Sequence, residues 1–448
     1  MNEEFVATEK KADYKINYFT LPGGEIITKI NKSNGFSDYG PVYFIKNIFQ
    51  EIFLPQGYPQ SVSSDYLDYQ IWDTIQAFCS TINGTLTTHA IFQGVGVGDS
   101  EATALAATIT WVMKDGTGMV GRIGFAWWKG FLLDTECKKW RLAADIINDG
   151  AMFIELLLGT LFFKNYSSII LCLATIMKTI VGVAGGATRA AITQHQAIRG
   201  NMGDVSAKDG SQETCVNLIA SLFAVIILKQ IENNSWNIWC LFFLSTIFHL
   251  YANYKAIKSL NIKTLNNSRF ILIMKHFLRF NEVGIPKYIN NKESIFLGYG
   301  ITDEELCSKK IYLGYSLKKF MKDNPNFDAN ALKNLKLIYN EFPYIILIDE
   351  SIKIVLHENI SEKDLIMSYY HGLVLGIVIK YSIIPEFKIP NNEFRYLIEE
   401  CKKTKSVEKV VSQFVQENWK NFAHRLNLNG WILNRHQLLT EEWRIKWH

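Results

Sequence analysis

Between Gln60 and Ile285 the chain has no proline, although four prolines precede that stretch and five follow it. Proline breaks helices and punctuates loops, so its absence over so long a run constrains the middle of the chain to long helices joined by short turns. The longest apolar runs, at residues 167–177 and 236–248, fall in the same stretch, which is also rich in glycine and alanine. Glycine is a poor helix former in water, yet inside a bilayer it lets helices approach closely. The middle of the chain therefore reads as a helical membrane domain.

Composition sharpens this reading through its unevenness. The chain is 48% apolar and 20% charged, but charges are sparse between Gly150 and Tyr254 and reach soluble-domain density from Lys255 to His448. The fold class expected is mainly α: a multi-helix membrane-embedded domain followed by a smaller soluble α+β domain. Residues 1–40 read as a polar, mobile leader, 41–260 as the helical membrane domain and 261–448 as a cytosolic α+β domain. A net charge of +4 with no Lys/Arg block argues against a nucleic-acid partner and leaves membrane lipid as the partner expected. The seven cysteines show no CxxC pair and no metal-ligand spacing, so no metal site is expected and a reduced, cytosol-facing protein fits best. The first twenty residues lack the apolar core of a signal peptide, and their acidic residues argue against a transit peptide.

Along the chain, Val42–Leu54 has the apolar spacing of an amphipathic helix. A turn with Pro55, Gly57 and Pro59 follows, and Ser64 or Asp65 is placed to cap a new helix. Up to seven apolar segments come next, at about 71–95, 101–113, 119–133, 146–163, 167–187, 214–231 and 236–254. A full span needs about 20 apolar residues, and only the last three approach that length without several charges. The alternative left open is a large all-helical globule with buried helices. Lys255, Lys258, Lys263, Arg269, Lys275 and Arg279 follow the last segment, so the positive-inside rule places the C-terminal domain in the cytosol. The membrane expected is that of an intracellular organelle. Further on, residues 344–357 read as a β-hairpin turning at Asp349–Ser351, and Ser361 caps a helix reaching Tyr381.

The short motifs are weak. Gly116, Gly118 and Gly121 match GxGxxG, but the fingerprint needs a βαβ unit, and the surroundings suit a tight helix turn and close helix packing. Gly94, Gly96 and Gly98 read as a flexible break. Residues 189–213 read as a polar loop between two apolar helices, carrying Arg189, His195, Asp204 and Lys208. Ionisable groups at such a junction are costly unless they pair or serve a function. Two readings stay open: a gate or anion site with Arg189 and Lys208 as donors, or a solvated loop with local pairing. Asp145 and Asp149 lie one helical turn apart, with Lys114, Asp115 and Arg122 as the partners expected. His89 and His249 read as hydrogen-bonded core histidines. The ligand-binding residues expected are thus Arg189, Lys208, His195, Asp204, Arg122 and Asp145, with no catalytic residues.

Longer stretches carry more. Leu54-Pro-Gln-Gly-Tyr-Pro-Gln-Ser-Val62 with Tyr69-Gln-Ile-Trp-Asp73, residues 111–122, 139–149, 185–189 and 201–213 together resemble the RUS (ROOT UV-B SENSITIVE) family, also called the vitamin B6 photo-protection and homoeostasis family. Val355-Leu-His357, Tyr370-His-Gly372 and Glu442-Trp-Arg444 extend the resemblance loosely. It implies a membrane-associated protein tied to ultraviolet-B responses and pyridoxal phosphate balance, able to associate with itself or with another family member. It implies no catalytic residues. The function expected is transport or sensing of a small anionic metabolite linked to vitamin B6 homoeostasis. The alternative is a non-transporting adaptor whose C-terminal domain binds a partner protein. A pyridoxal phosphate enzyme would need a Schiff-base lysine, for which only Lys178 or Lys208 is placed. No cofactor is expected, and pyridoxal phosphate enters only as a ligand.

Overall fold

The computed structural model describes residues 4–11, 14–21, 24–32, 48–94, 104–159, 167–232, 234–384, 389–404 and 406–446. The chain divides into two compact units, Met1–Ser64 with Gln196–Cys215, and Asp65–His195 with Val216–His448.

In the first unit, β1 (Glu4–Lys11), β2 (Tyr14–Thr20) and β3 (Ile26–Lys32) form an antiparallel meander. This corrects the reading of that stretch as a polar, mobile leader. Ile, Tyr, Phe and Thr alternate there with Lys and Asn, the period-2 pattern of a strand, and backbone pairing outweighs the polarity. Residues 48–53 are helical, as the spacing of Val42–Leu54 requires; residues 42–47 lie outside the described residues.

The second unit opens with α1 (Tyr66–Gly94), α2 (Ala104–Lys129), α3 (Cys137–Leu156), α4 (Ser167–Gln196), α5 (Met202–Ile231) and α6 (Ser235–Ser259). The N-terminal part of α5 belongs to the first unit. Two expectations are corrected here. The segments expected at 101–113 and 119–133 are joined in one continuous helix over residues 104–129, and Gly116–Gly121 lie inside it instead of forming a turn. A Cβ on Gly118 would stand 3.0 Å from the Thr175 side chain on α4, so packing compensates the low helix propensity of glycine. The supposed loop at 189–213 is also helical except at 197–201, because nothing in it removes a backbone donor. Gly96 and Gly98 lie outside the described residues.

The C-terminal part is smaller and mixed. The sheet order β5 (Ile311–Leu313), β7 (Ile352–His357), β6 (Tyr344–Ile348) carries β9 (Arg444–Ile445) on β7, and β4 (Thr264–Asn266) pairs in parallel with β8 (Ile432–Gln437). β6 and β7 form the hairpin expected over residues 344–357. Helices α7 (Asn267–Phe280), α8 (Pro286–Lys292), α9 (Asp303–Cys307), α10 (Leu317–Asp323) and α11 (Ala329–Ile338) surround the sheet. With them lie α12 (Glu362–Ser382), α13 (Asn392–Lys403) and α14 (Val407–Leu428). Ser361 accepts from the Asp364 N–H at the start of α12, the cap its sequence implies. α12 is apolar on all sides because it is enclosed on all sides. Gly376 makes this possible: a Cβ there would lie 2.5 Å from the Cys307 Cβ.

By length and composition three helices could cross a membrane: α4 from Ser168, α5 and α12. Only 17% and 11% of the apolar windows of α4 and α5 are buried, against 78% for α12, so α12 is a core helix and α4 and α5 present apolar faces outward. The third span expected from sequence lay at 236–254, in α6, which is not among the three.

Candidate functional site

The residues expected to bind a ligand do not converge. Asp204, Lys208 and Gln212 lie at successive turns on one face of α5. The Gln56 N–H donates to Asp204 Oδ2 at 2.7 Å, the Lys208 ammonium donates to the Glu51 carbonyl, and the Gln212 amide donates to the Phe53 carbonyl at 2.5 Å. A cation and an amide thus cap the last carbonyls of the 48–53 helix, where donors and positive charge are favoured. The Gln56–Asp204 bond joins two of the family-like stretches, 54–62 and 201–213. His195 Nε2 lies 2.9 Å from Asp65 Oδ2, and Asp65 also receives the Asn261 N–H, fixing the start of α1. Arg189 is half-buried on α4, and Arg122 is exposed on α2. Gly116, Gly118 and Gly121 cannot cradle a phosphate, because their N–H groups serve a helix interior. Lys178, one of the two lysines considered for a Schiff base, donates to the buried Glu155 at 2.5 Å.

Asp145 belongs to a different arrangement. α1, α3 and α6 pack together around a buried polar cluster to which each contributes. On α3, the spacing of Arg141, Asp145 and Asp149 puts all three on one face. The Gln76 amide from α1 and the Asn253 amide from α6 both donate to Asp145 Oδ2, at 3.3 and 2.5 Å. His249 on α6 lies with Nδ1 2.7 Å from Asp149 Oδ2 and Nε2 3.0 Å from the Gln76 amide nitrogen. Arg141 donates to Asp73 at 3.1 Å. The partners expected for the two aspartates, Lys114 and Arg122, lie elsewhere; Lys114 sits over the Trp111 ring at 4.0 Å.

This network fixes the tautomer of His249. Gln76 must present its NH2, because Asp145 accepts from the same nitrogen, so Nε2 accepts and Nδ1–H donates to Asp149. Both imidazole nitrogens are thereby used. Asp149 Oδ1 is buried and has no hydrogen-bond partner among the described residues, and neither does Asn83 Oδ1 one helical stretch away. The seam continues along α1 and α6 through Ser245 to the Cys79 carbonyl at 3.0 Å and Asn83 to Thr246 at 2.9 Å. Three carboxylates face one guanidinium here, so the interior is acidic and suits a proton, or a neutral or protonated ligand, better than an anion. Among the described residues no group of three His, Cys, Asp or Glu is placed to hold a metal ion.

Sequence reasoning singled out Asp145 as a ligand residue, set Asp149 one turn from it and read His249 as a core histidine, but did not point to Gln76 or Asn253, which lie 69 and 108 residues from Asp145. Their one local signal is an amide on the otherwise apolar face of a helix.

Residues 44–281 match the vitamin B6 photo-protection and homoeostasis domain, and residues 282–447 match the root UVB sensitive protein C-terminal domain. The chain is 48% identical over 310 residues to RUS family member 1 of Dictyostelium discoideum, covering 68% of this chain and 57% of that protein's length. It is 30% identical over 400 residues to Protein root UVB sensitive 3 of Arabidopsis thaliana, covering 89% of this chain and 86% of the relative. No solved structure matches. On two adjoining domain matches and relatives of this similarity, the chain belongs to the RUS family, whose core domain is that of vitamin B6 photo-protection and homoeostasis.

Proposed function

We propose that this protein is a multi-pass membrane protein of an intracellular membrane that passes or senses a small metabolite linked to vitamin B6 homoeostasis, with the Asp145–Asp149–His249 cluster as its working centre. The observation that carries this reading is an inverted helical domain. Val112, Val120 and Ile123 on α2, Leu222 on α5 and Ile247 and Phe248 on α6 are exposed, while Gln76, Asp145, Asp149, His249 and Asn253 are buried. A soluble bundle reverses that order, because exposed apolar area on this scale is costly in water. Ionisable groups inside a membrane bundle are rare and mark ligand or proton pathways. The basic residues after α6 favour a cytosolic C-terminal domain in this reading.

The cluster also supplies a mechanism. Protonating His249 makes Nε2 a donor, which Gln76 meets only by turning its carbonyl oxygen inward, so it withdraws its NH2 from Asp145. One proton thus takes a donor from Asp145 and makes the Nδ1–H bond to Asp149 charge-assisted, and the unpartnered Asp149 oxygen is free to take a protonated ring nitrogen. The acidic interior points to a B6 vitamer without its phosphate, a revision of the anionic ligand expected from sequence.

Purified protein in liposomes, assayed for labelled pyridoxal uptake under an imposed pH gradient, tests this. Uptake by the wild type, reduced at least tenfold in Asp149→Asn, is the expected outcome. Capture of a partner protein without uptake would replace it with the adaptor reading. That reading draws on a cleft of about 1030 Å³ in the second unit, whose lining includes the exposed rings of Tyr299 and Trp443.

A further inference from the structure

A second, smaller cleft lies in the C-terminal part, apart from the helical cluster. Its volume is about 380 Å³, and its lining brings Lys275 and Arg279 of α7 together with Lys380 of α12 and Glu305 of α9. Leu278, Leu306 and Ile389 give it a buried apolar wall. Lys275 and Arg279 stand one turn apart, where like charges repel, and among the described residues neither they nor Lys380 forms an ion pair. The Lys380 ammonium donates to the Glu305 backbone carbonyl at 2.5 Å, which holds it at the cleft. Three cations against one carboxylate leave a surplus of two positive charges beside an apolar wall.

We propose that this cleft binds a small soluble phosphomonoester with a flat apolar body. A phosphomonoester carries about −1.5 to −2 at neutral pH, which matches the surplus. The Arg279 guanidinium offers paired donors for two phosphate oxygens, and the lysines act as point charges. The volume falls within the range of roughly 300–1,000 Å³ typical of small-ligand pockets, and the Leu278–Leu306–Ile389 wall accepts a ring face. Such a ligand would report metabolite level to the C-terminal domain at a site separate from the helical centre.

The full chain in detergent, titrated calorimetrically with pyridoxine 5′-phosphate and with pyridoxine, tests the proposal; neither probe has an aldehyde to react with lysines. The phosphorylated probe should bind saturably, at least tenfold more tightly than pyridoxine, and inorganic phosphate should compete. Losing the paired, charge-assisted donors of the guanidinium, Arg279→Gln should weaken binding roughly tenfold or more, and Arg279→Lys should recover part of the loss. Both variants should melt as the wild type does, since Arg279 is exposed. Equal affinity for the two probes, or wild-type binding by Arg279→Gln, would overturn the proposal. So would binding confined to phosphatidate vesicles with none of the soluble ester.

Discussion

Glu293 shows how a single carboxylate joins the helical and mixed parts of the second unit. It is buried 3.3 Å from Lys138 Nζ and 3.8 Å from Arg269 Nη1, and Asn266 donates to its other oxygen at 3.0 Å. Burial alone would raise its pKa, but Arg269 and Lys138 outweigh that and hold it below the usual carboxylate range. Removing one partner of such a group leaves uncompensated buried charge, at a cost of about 3–5 kcal/mol. Glu293→Gln should therefore lower the melting temperature of the detergent-solubilised protein far more than Glu304→Gln, an exposed control. His371 on α12 is a second such group. It sits among Tyr339, Phe342 and Tyr344, with the Tyr344 hydroxyl 3.1 Å from Nδ1, and burial holds its pKa down to about 3. The folded state thus excludes a proton that the unfolded chain accepts near pH 6.5. The stability this contributes is present above about pH 6.5 and is lost as pH falls toward 3. Denaturation midpoints across that window should fall for the wild type and fall less steeply for His371→Gln.

Among the elements, the helices and the 344–357 hairpin were legible because their signals are local: apolar spacing, the proline-free run, the Ser361 cap and turn residues at Asp349–Ser351. What was illegible depends on contacts between distant elements. Nothing local to Gly116–Gly121 says that α4 presses against Gly118 and keeps α2 continuous. Nothing local to Lys208 says that its ammonium caps a helix more than 150 residues earlier. The β1–β3 meander was legible in its alternation and was masked by its polarity. For the glycines the consequence is direct. Gly118→Val would push a branched side chain into Thr175 and Thr179, which stand 3.0 and 3.2 Å from a Cβ at that position. Overpacking of this kind costs about 1–3 kcal/mol, so the variant should express poorly and melt several degrees lower. Gly124→Ala, where a Cβ meets nothing within 4 Å, should behave as the wild type.

For the whole molecule, the orientation we propose rests on the charge bias around the apolar helices. A glycosylation acceptor engineered at residues 233–237, across the junction of α5 and the first turn of α6, should be modified in microsomes, and one at 201–210 should not. The reverse pattern would contradict a cytosolic C-terminal domain. Beneath orientation lies the claim on which the rest depends, that the inverted helical domain is solvated by lipid. Alkaline carbonate extraction of membranes containing the full chain tests it most directly. Retention of the protein in the membrane pellet is the predicted result, and its release into the supernatant would contradict the membrane domain and the transport reading built on it.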